Sequence, residues 1–159
     1  MNKSLLIIGA GEYGQVIKEI AELNGFETIE FLDDKNPIAI GRINQLETIQ
    51  KNFDYAICSI GNPEIREKIS RIINNKIALI HPYAFISKTA KIEKSCVIEA
   101  GVIINSYSVI KEGSLICAGS IINHNAIINE YCQVDCNAVV KGVVPNKTKI
   151  ESCTVWKEK

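Results

Sequence analysis

Residues 97–128 read VIEAGVIINSYSVIKEGSLICAGSIINHNAII, and an aliphatic residue recurs in this stretch at every sixth position. Neither the 3.6-residue period of a helix nor the two-residue period of a strand produces this spacing. A period of six is typical of a parallel β-helix, in which three short strands form one triangular coil of about eighteen residues. The recurring positions are Ile80, Ile86, Ile92, Ile98, Ile104, Ile110, Ile116, Ile122, Ile128, Val134 and Val140.

The other positions of each hexad also have predictable places. The recurring aliphatic residue should point inward and stack on its counterpart in the next coil, and polar residues should form the turns. Asn105, Asn123 and Asn129 each follow an inward residue, where we expect strained or left-handed backbone. The residue four positions after each inward one is small or apolar, which suits a corner: Ala84, Ala90, Cys96, Val102, Ser108, Ser114, Ser120, Ala126, Cys132, Ala138 and Val144.

The first half of the chain has a different pattern, which predicts an α/β unit with a parallel sheet. A strand over 4–8 leads into the glycine motif of residues 9–14 and a helix over 13–24. Strands at 28–32, 55–59 and 76–80 then alternate with helices at 46–51 and 64–73. This alternation is typical of a Rossmann-like fold. We therefore predict a Rossmann-like nucleotide-binding domain at 1–79 and a β-helix domain at 80–159.

Three turns of the first domain are candidate ligand sites. Glycines after a strand permit close backbone approach to a diphosphate at a helix N-terminus, and an acid after the next strand can accept hydrogen bonds from a ribose or a base. The alternative is that these are simply tight turns between strands and helices. The candidate substrate-binding residues are Gly9, Gly11, Glu12, Tyr13, Gly14, Asp33, Asp34, Gly61 and Asn62.

The composition argues against several classes of function. Eighteen Lys and Arg balance eighteen Asp and Glu. Proteins that bind nucleic acids or anionic membranes usually do so through a surface of net positive charge. The apolar run at 5–10 is too short to span a bilayer, and its flanks do not resemble a signal peptide, so we expect a cytoplasmic protein. The six cysteines have no zinc-ligand spacing. We expect them to be reduced packing residues, with no metal site.

Together the two halves resemble a family of bacterial sugar acetyltransferases. This family includes the sialic acid O-acetyltransferases, the UDP-4-amino-sugar N-acetyltransferases of the bacillosamine pathway and the perosamine N-acetyltransferases. The resemblance is carried by residues 7–11 with Gly14, by 31–34, by 59–62, by 79–82 and by 123–125. It implies a left-handed β-helix of hexapeptide repeats that forms a trimer, with acetyl-CoA between neighbouring helices and a nucleotide-sugar on the first domain.

The resemblance also implies a catalytic residue. It places the family's histidine at His124, as the general base that deprotonates a sugar amine or hydroxyl. Independently, His124 lies two residues after an inward isoleucine, so it should face outward, and imidazole titrates near neutral pH. Asn125 stands where the family commonly has an acid, and it could orient the ring. The other histidine, His81, lies at the domain junction and is expected to be structural.

The candidate CoA-binding residues are Gln133 and Gly142, and the stretch 133–136 has no histidine where a second one is common in the family. Residues 144–146, Val-Pro-Asn, echo the family's ending but come early. The groove for CoA is therefore expected to be shallow, borrowed from a neighbouring subunit or absent.

These observations predict an acetyltransferase that uses acetyl-CoA and acts on the amino group of a UDP-linked sugar. O-acetylation of a sialic-acid-type sugar remains an alternative, because nothing in the sequence separates amine from hydroxyl acceptors. A shortened, inactive homologue that binds a nucleotide-sugar or serves as a trimeric scaffold is a second alternative. An NAD-dependent dehydrogenase is disfavoured, since the first domain is only half of a dinucleotide-binding domain.

Overall fold

The structure is a computed structural model that describes residues 3–158. The chain divides into two compact units, Met1–Leu79 and Ile80–Lys159. Residues 1, 2 and 159, which the predicted domain boundaries include, lie outside the described residues.

The N-terminal unit contains a three-stranded parallel sheet with helices between its strands. Its strands are β1 (Lys3–Ile8), β2 (Phe26–Leu32) and β3 (Tyr55–Cys58), in the order β2-β1-β3. Its helices are α1 (Glu12–Leu23), α2 (Leu46–Ile49) and α3 (Pro63–Ile72). The predicted helix at 46–51 is thus a single α-helical turn, which is flanked by the 3₁₀ turns Ile43–Gln45 and Gln50–Asn52.

The central strand explains why this sequence forms a parallel sheet. Residues 5–8 of β1 are fully buried, because the strand is flanked by neighbours on both edges and packed on both faces. One side of the sheet packs on a cluster of buried apolar residues that includes Leu6, Ile8, Leu32, Leu46, Ala56, Cys58, Ile69 and Ile73.

The predicted strand at 76–80 is wrong for this sheet. Lys76 makes only an isolated bridge to Ala56, and Leu79–Ile80 forms β4, the first strand of the C-terminal unit. The reason is that Ile80 already belongs to the six-residue register. The N–H of the next residue, His81, donates to the carbonyl of Ile98 in the following coil (2.8 Å).

The C-terminal unit is a parallel β-helix with three faces. Its sheets have the strand orders β16-β13-β10-β7-β4, β17-β14-β11-β8-β5 and β15-β12-β9-β6. The strands are β4 (Leu79–Ile80), β5 (Phe85–Ile86), β6 (Lys91–Ile92), β7 (Val97–Ile98), β8 (Ile103–Ile104), β9 (Val109–Ile110), β10 (Leu115–Ile116), β11 (Ile121–Ile122), β12 (Ile127–Ile128), β13 (Gln133–Val134), β14 (Val139–Lys141), β15 (Val143–Val144), β16 (Lys149–Ile150) and β17 (Val155–Lys157).

The small corner residues do more than fit a narrow space. The Ser114 hydroxyl donates to the carbonyl of Asn129 in the next coil (2.9 Å), and that of Ser120 donates to the carbonyl of Asp135 (2.8 Å). Cys96 is fully buried in the same slot, and burial raises the pKa of its thiol to about 12. A small side chain with a donor therefore satisfies a turn carbonyl that the corner would otherwise bury.

The prediction for the cysteines is confirmed for four of the six. Cys58, Cys96, Cys117 and Cys132 are buried, whereas Cys136 and Cys153 are exposed. The prediction is wrong for these two because they lie in turns of the β-helix, whose side chains point outward.

Left-handed backbone falls at a different turn position from the predicted one. It occurs at the third residue after the inward aliphatic one, as at Asn125, where φ is 60°. Asn105, Asn123 and Asn129, which directly follow inward residues, have no positive φ. They still belong to the strand ladder, since the N–H of Asn123 donates to the carbonyl of Val140 in the next coil (3.0 Å).

The inward register gives a first testable prediction. Ile110→Ala should lower the free energy of unfolding by about 2–5 kcal/mol, because Ile110 is fully buried and the stacked coils cannot close the cavity. Val109→Ala, on the outer face of the same strand, should cost clearly less. Urea unfolding followed by the fluorescence of Trp156, the single tryptophan, measures both. Equal losses would contradict the inward and outward assignment.

Candidate active site

The coil that follows the His124 turn is shorter than the preceding ones. Ile122 pairs with Val140, eighteen residues later, whereas Ile128 pairs with Val144, only sixteen residues later. The two residues are missing from the turn between β14 and β15, which contains only Gly142. Val144 is therefore an inward strand residue, and its predicted corner position is wrong. The longer turn that carries His124 projects beyond this short turn.

His124 and Asn125 are both exposed in that turn, and their side chains touch. The Nδ1 atom of His124 lies 3.1 Å from the Oδ1 atom of Asn125. An amide oxygen can only accept, so this contact requires the proton on Nδ1. The unprotonated nitrogen of the neutral ring is then Nε2. The arrangement suits a general base that acts through Nε2.

Asn125 also holds the turn itself. Its φ of 60° lies in the left-handed region, which Asn adopts more readily than most residues. Its N–H donates to the carbonyl of Ser106 in the preceding coil (3.0 Å). The backbone of the residue next to His124 is thus fixed by the coil below, and the position of the imidazole is fixed with it.

The short turn is held in place by the end of the chain. Gly142 has a φ of 94°, and a Cβ there would approach the Cβ of Glu158 to 2.7 Å. The Glu158 Oε2 atom accepts from the N–H of Val143 (3.1 Å), and the Trp156 Nε1–H donates to the carbonyl of Val143 (3.1 Å). Sequence reasoning missed Trp156 and Glu158, since no local pattern marks them.

Gln133 lies on a different face of the β-helix from the His124 turn. That turn connects β11 to β12, whereas Gln133 is in β13, in the sheet that contains neither of those strands. Its Nε2 donates to the Oδ1 atom of Asp135 (2.7 Å), whose other oxygen lies 3.2 Å from the Lys149 Nζ. Within one chain the structure does not bring Gln133 and His124 together.

The glycines of the N-terminal motif fall into two groups. Gly9 has a φ of 106°, and a Cβ on it would overlap the Ser59 hydroxyl. A Cβ on Gly14 would overlap the carbonyl oxygen of Gly9. Nothing lies within 4 Å of a Cβ built on Gly11 or Gly61, and both residues are exposed. Gly9 and Gly14 are therefore required by the packing, whereas Gly11 and Gly61 present open backbone. Glu12 and Tyr13, the other candidates of this motif, begin α1.

Asp33 and Asp34 have different environments. Asp33 accepts from the backbone N–H of Ala10 (2.8 Å), Lys35 (2.8 Å) and Asn36 (2.9 Å). These hydrogen bonds, that of Ala10 above all, hold the pKa of the Asp33 carboxyl below its usual range. The Asp33 side chain thus ties the glycine loop to the turn after β2. Asp34 is exposed and accepts from the N–H of Ile43 (3.1 Å).

The turn after β3 is held from beneath by two side chains that sequence reasoning missed. The buried Ser59 hydroxyl lies 2.8 Å from the carbonyl oxygen of Gly9 and donates into the glycine loop. The Arg66 Nη1 donates to the carbonyls of Ile60 (2.9 Å) and Gly61 (2.7 Å). A signal for Arg66 does exist in the sequence, since it lies three residues before Ile69 and therefore on the buried side of α3. Asn62 is the N-cap of this helix.

A cavity of about 250 Å³ in this unit lies away from these turns. It is lined by Gln50, Lys51, Phe53, Tyr55, Ala56, Asn74 and Asn75. Tyr55 begins β3, so the cavity is at the amino edge of the sheet, whereas the glycine loop follows the carboxyl end of β1. Ligands of open α/β sheets bind at the carboxyl ends of the strands, so we do not assign the substrate to this cavity.

Comparisons with known proteins agree with this architecture. Residues 4–73 match the family model of the PglD N-terminal domain. The acetyltransferase domain of PglB from Neisseria gonorrhoeae FA1090, solved in complex with acetyl coenzyme A, superposes with a TM-score of 0.90 at 25% identity, over 98% of this chain and 82% of that chain. The curated proteins include no sequence match.

Two more distant solved structures share the fold. A variant of GDP-perosamine N-acetyl transferase from Caulobacter crescentus, in complex with CoA and GDP-perosamine, has a TM-score of 0.68 at 18% identity, over 96% of this chain and 92% of that chain. WeeI from Acinetobacter baumannii AYE has a TM-score of 0.58 at 15% identity, over 93% of this chain and 96% of that chain.

The N-terminal unit thus carries the PglD N-terminal domain, and the chain over almost its whole length is similar to sugar acetyltransferases of the hexapeptide-repeat superfamily, which supports an acyltransferase. The predicted fold class, a Rossmann-like unit followed by a left-handed parallel β-helix, is confirmed. Among the described residues, every helix is too short or too polar to cross a membrane.

The two groups of glycines can be separated experimentally. Gly14→Ala should lower the free energy of unfolding by about 1–3 kcal/mol, because its methyl group would overlap backbone that cannot move away. Gly11→Ala is the matched control, and it should unfold close to the wild-type temperature because the space around it is open. Thermal unfolding followed by circular dichroism measures both. The assignment is wrong if Gly11→Ala is the more damaging change.

Proposed function

We propose that this protein transfers the acetyl group of acetyl-CoA to the amino group of a nucleotide-linked sugar. The observation that carries the proposal is the exposed His124 ring, whose Nδ1 contact with Asn125 leaves Nε2 available above the short coil. The 0.90 TM-score to a PglB domain solved with acetyl coenzyme A supports acetyl-CoA as the co-substrate.

The proposed reaction needs one base and one hydrogen-bond donor. Nε2 of His124 takes a proton from the sugar amine as its nitrogen attacks the thioester carbonyl carbon. The tetrahedral intermediate then collapses, the carbon–sulfur bond breaks, and the CoA sulfur receives the proton from the imidazolium. Asn125 keeps the ring oriented throughout, but as a neutral amide it adds no charge to stabilise the imidazolium.

We assign the oxyanion donor to the backbone N–H of Gly142, in the short turn of the adjacent coil. The carbonyl of Lys141 accepts from the N–H of Glu158 (3.2 Å). Since the two groups of a trans peptide point in opposite directions, the Gly142 N–H points away from that contact. Because the direction of this N–H is fixed before the reaction, it can stabilise the oxyanion of the tetrahedral intermediate without any rearrangement of the protein.

We further propose that the active site is completed by a second copy of the chain. Gln133, the candidate CoA residue, lies on a different face from His124, so one chain cannot supply both to the same ligand. In the sheet that includes β11, the first outer position of every strand is apolar, with Phe85 60% exposed and Val155 56% exposed, and only β14 and β17 add an outer lysine, Lys141 and Lys157. Packing this face against neighbours in a trimer would cover it and form a groove beside His124.

The N-terminal unit is the proposed site for the nucleotide. Gly11 follows β1 and Gly61 follows β3, and both have open space around their backbone. Asp34 is an exposed carboxylate that follows β2, the strand next to β1 in the sheet. A UDP-linked amino sugar is the first expectation, and GDP-linked amino sugars belong in the same assay because a neighbour is solved with GDP-perosamine. A cytoplasmic location fits this reaction and the six free cysteines.

The base assignment predicts a large loss of rate on one substitution. His124→Ala should lower the turnover number by about 10²–10⁴-fold, because general base catalysis contributes about that much. The assay follows release of the CoA thiol with acetyl-CoA and a panel of UDP- and GDP-linked amino sugars and sialic acids. His81→Asn is the control, and it should keep the rate, since the His81 ring accepts from the N–H of Tyr83 (3.0 Å) and packs beside the Tyr83 ring, a local structural role.

Equal thiol release by the wild type and His124→Ala would remove the base assignment. Nucleotide-sugar binding without CoA binding would favour the inactive scaffold, and selective turnover of a sialic acid would favour O-acetylation.

The trimer makes a separate prediction. Light scattering at micromolar concentration should give three times the mass of the chain, and Ile121→Lys, on the outer apolar face, should give monomers and abolish transfer. Lys91→Glu, on the outer face of a different sheet, is the control and should leave the trimer intact. A wild-type monomer would contradict the shared site.

A further inference from the structure

Arg66 is an unusual residue in the N-terminal unit. It is the largest fully buried side chain among the described residues, with 1% of its surface exposed. Arginine is almost never buried to this extent, because its charge must leave water. It also lies near the N-terminus of α3, four residues after the N-cap Asn62, where the helix dipole disfavours a cation. The cost of burying the guanidinium must therefore be offset by its hydrogen bonds, which makes their partners informative.

The contacts of Arg66 point to the turn that carries Gly61 and Asn62. Its Nη1 donates to two consecutive carbonyls, those of Ile60 (2.9 Å) and Gly61 (2.7 Å). The described residues contain no cis peptide. In each trans peptide the N–H points opposite to the carbonyl, so the N–H groups of Gly61 and Asn62 point away from Arg66.

These two N–H groups lie at an open surface. Gly61 and Asn62 are exposed, and no atom lies within 4 Å of a Cβ built on Gly61. The Asn62 side chain is turned toward its own helix, where its Oδ1 accepts from the N–H of Ile65 (3.0 Å). The same turn is joined to the glycine loop, because the Ser59 hydroxyl donates to the carbonyl of Gly9 (2.8 Å).

We infer that Arg66 is a positioning residue for the phosphate groups of the nucleotide-sugar. It turns two backbone donors outward, and its charge makes the turn favourable for an anion although the guanidinium itself never reaches the surface. The inference rests on the proposed function and adds to it: the turn after β3, and not only the glycine loop, recognises the diphosphate.

The test measures how much more tightly the protein binds a nucleoside diphosphate than the nucleoside without phosphate. Calorimetric titration with uridine, UMP and UDP, and with the guanosine series, gives the ratio of diphosphate to nucleoside affinity. Arg66→Gln should lower this ratio by about tenfold or more, because the charge and the fixed carbonyls are lost together. Arg66→Lys should lower it less, since it keeps the charge but cannot hold both carbonyls in the same way.

Two controls separate this role from a structural one. Ser70→Ala, at a fully buried hydroxyl of the same helix that has no hydrogen-bond partner among the described residues, should keep the ratio unchanged. In the acetyl transfer assay, Arg66→Lys should raise the KM for the nucleotide-sugar and leave the KM for acetyl-CoA and the turnover number near wild type. Substitution of a residue that only stabilises the fold would not change the affinity ratio, or the KM for the nucleotide-sugar, without also changing the other kinetic constants. If Arg66→Gln does not fold, Arg66→Lys decides.

The possible failures can be told apart. If the wild type prefers the diphosphate, and folded Arg66→Gln and Arg66→Lys have the same ratio of diphosphate to nucleoside affinity as the wild type, the role of Arg66 is wrong but the nucleotide-sugar substrate stands. A wild type that shows no preference for a diphosphate overturns this inference together with the nucleotide-sugar substrate. Loss of thiol release in His124→Ala tests the acetyltransferase separately from either.

Discussion

Hydrogen bonds between successive coils require that each strand stay in register with the strand one coil away. The spacing of eighteen between Ile104 and Ile122, and again between Ile122 and Val140, keeps every inward side chain above its counterpart. In the regular coils the corner hydroxyls of Ser114 and Ser120 each donate to a turn carbonyl fifteen residues later. The single departure, at the turn of Gly142, then has a large local effect, since it shortens the turn stacked on the one that carries His124. The candidate base is thus at the place where the repeat is interrupted.

In the N-terminal unit, buried and half-buried side chains fix the backbone of the loops that follow the strands. Asp33, Ser59 and Arg66 each bind main-chain groups of the loops that follow the strands. Their hydrogen bonds fix which carbonyls face the interior, and the exposed backbone at Gly11 and Gly61 is oriented as a result. Charged and polar side chains that would be costly in an apolar core are satisfied here by carbonyl and N–H groups. In both units, therefore, the proposed ligand-binding groups include backbone N–H donors whose direction is fixed by hydrogen bonds of the same peptide groups.

The proposed catalytic arrangement has one consequence for the chemistry. An acid beside the imidazole would stabilise the imidazolium, whereas Asn125 only selects the tautomer and the ring orientation. In the proposed mechanism, the bound substrates rather than a neighbouring acid would stabilise the imidazolium of His124. The proposed site depends on the acyl donor and the sugar being placed correctly. Because Gln133 and His124 lie on different faces of one chain, the proposal assigns part of that placement to a neighbouring subunit.

The amino-acid sequence by itself determined the period of six, and with it the three faces of the β-helix, the inward aliphatic residues and the outward position of His124. It also indicated the order of the strands and helices around the glycine motif. These features could be predicted because each depends on residues within a few positions of one another. The shortened coil, the end of the N-terminal sheet before residue 76, the structural use of Asp33 and the roles of Arg66 and Glu158 could not. They depend on contacts between distant residues, such as Ser59 with Gly9, fifty positions apart. Only the tertiary structure decided these contacts, because a buried polar group takes whichever partner the packed chain places beside it.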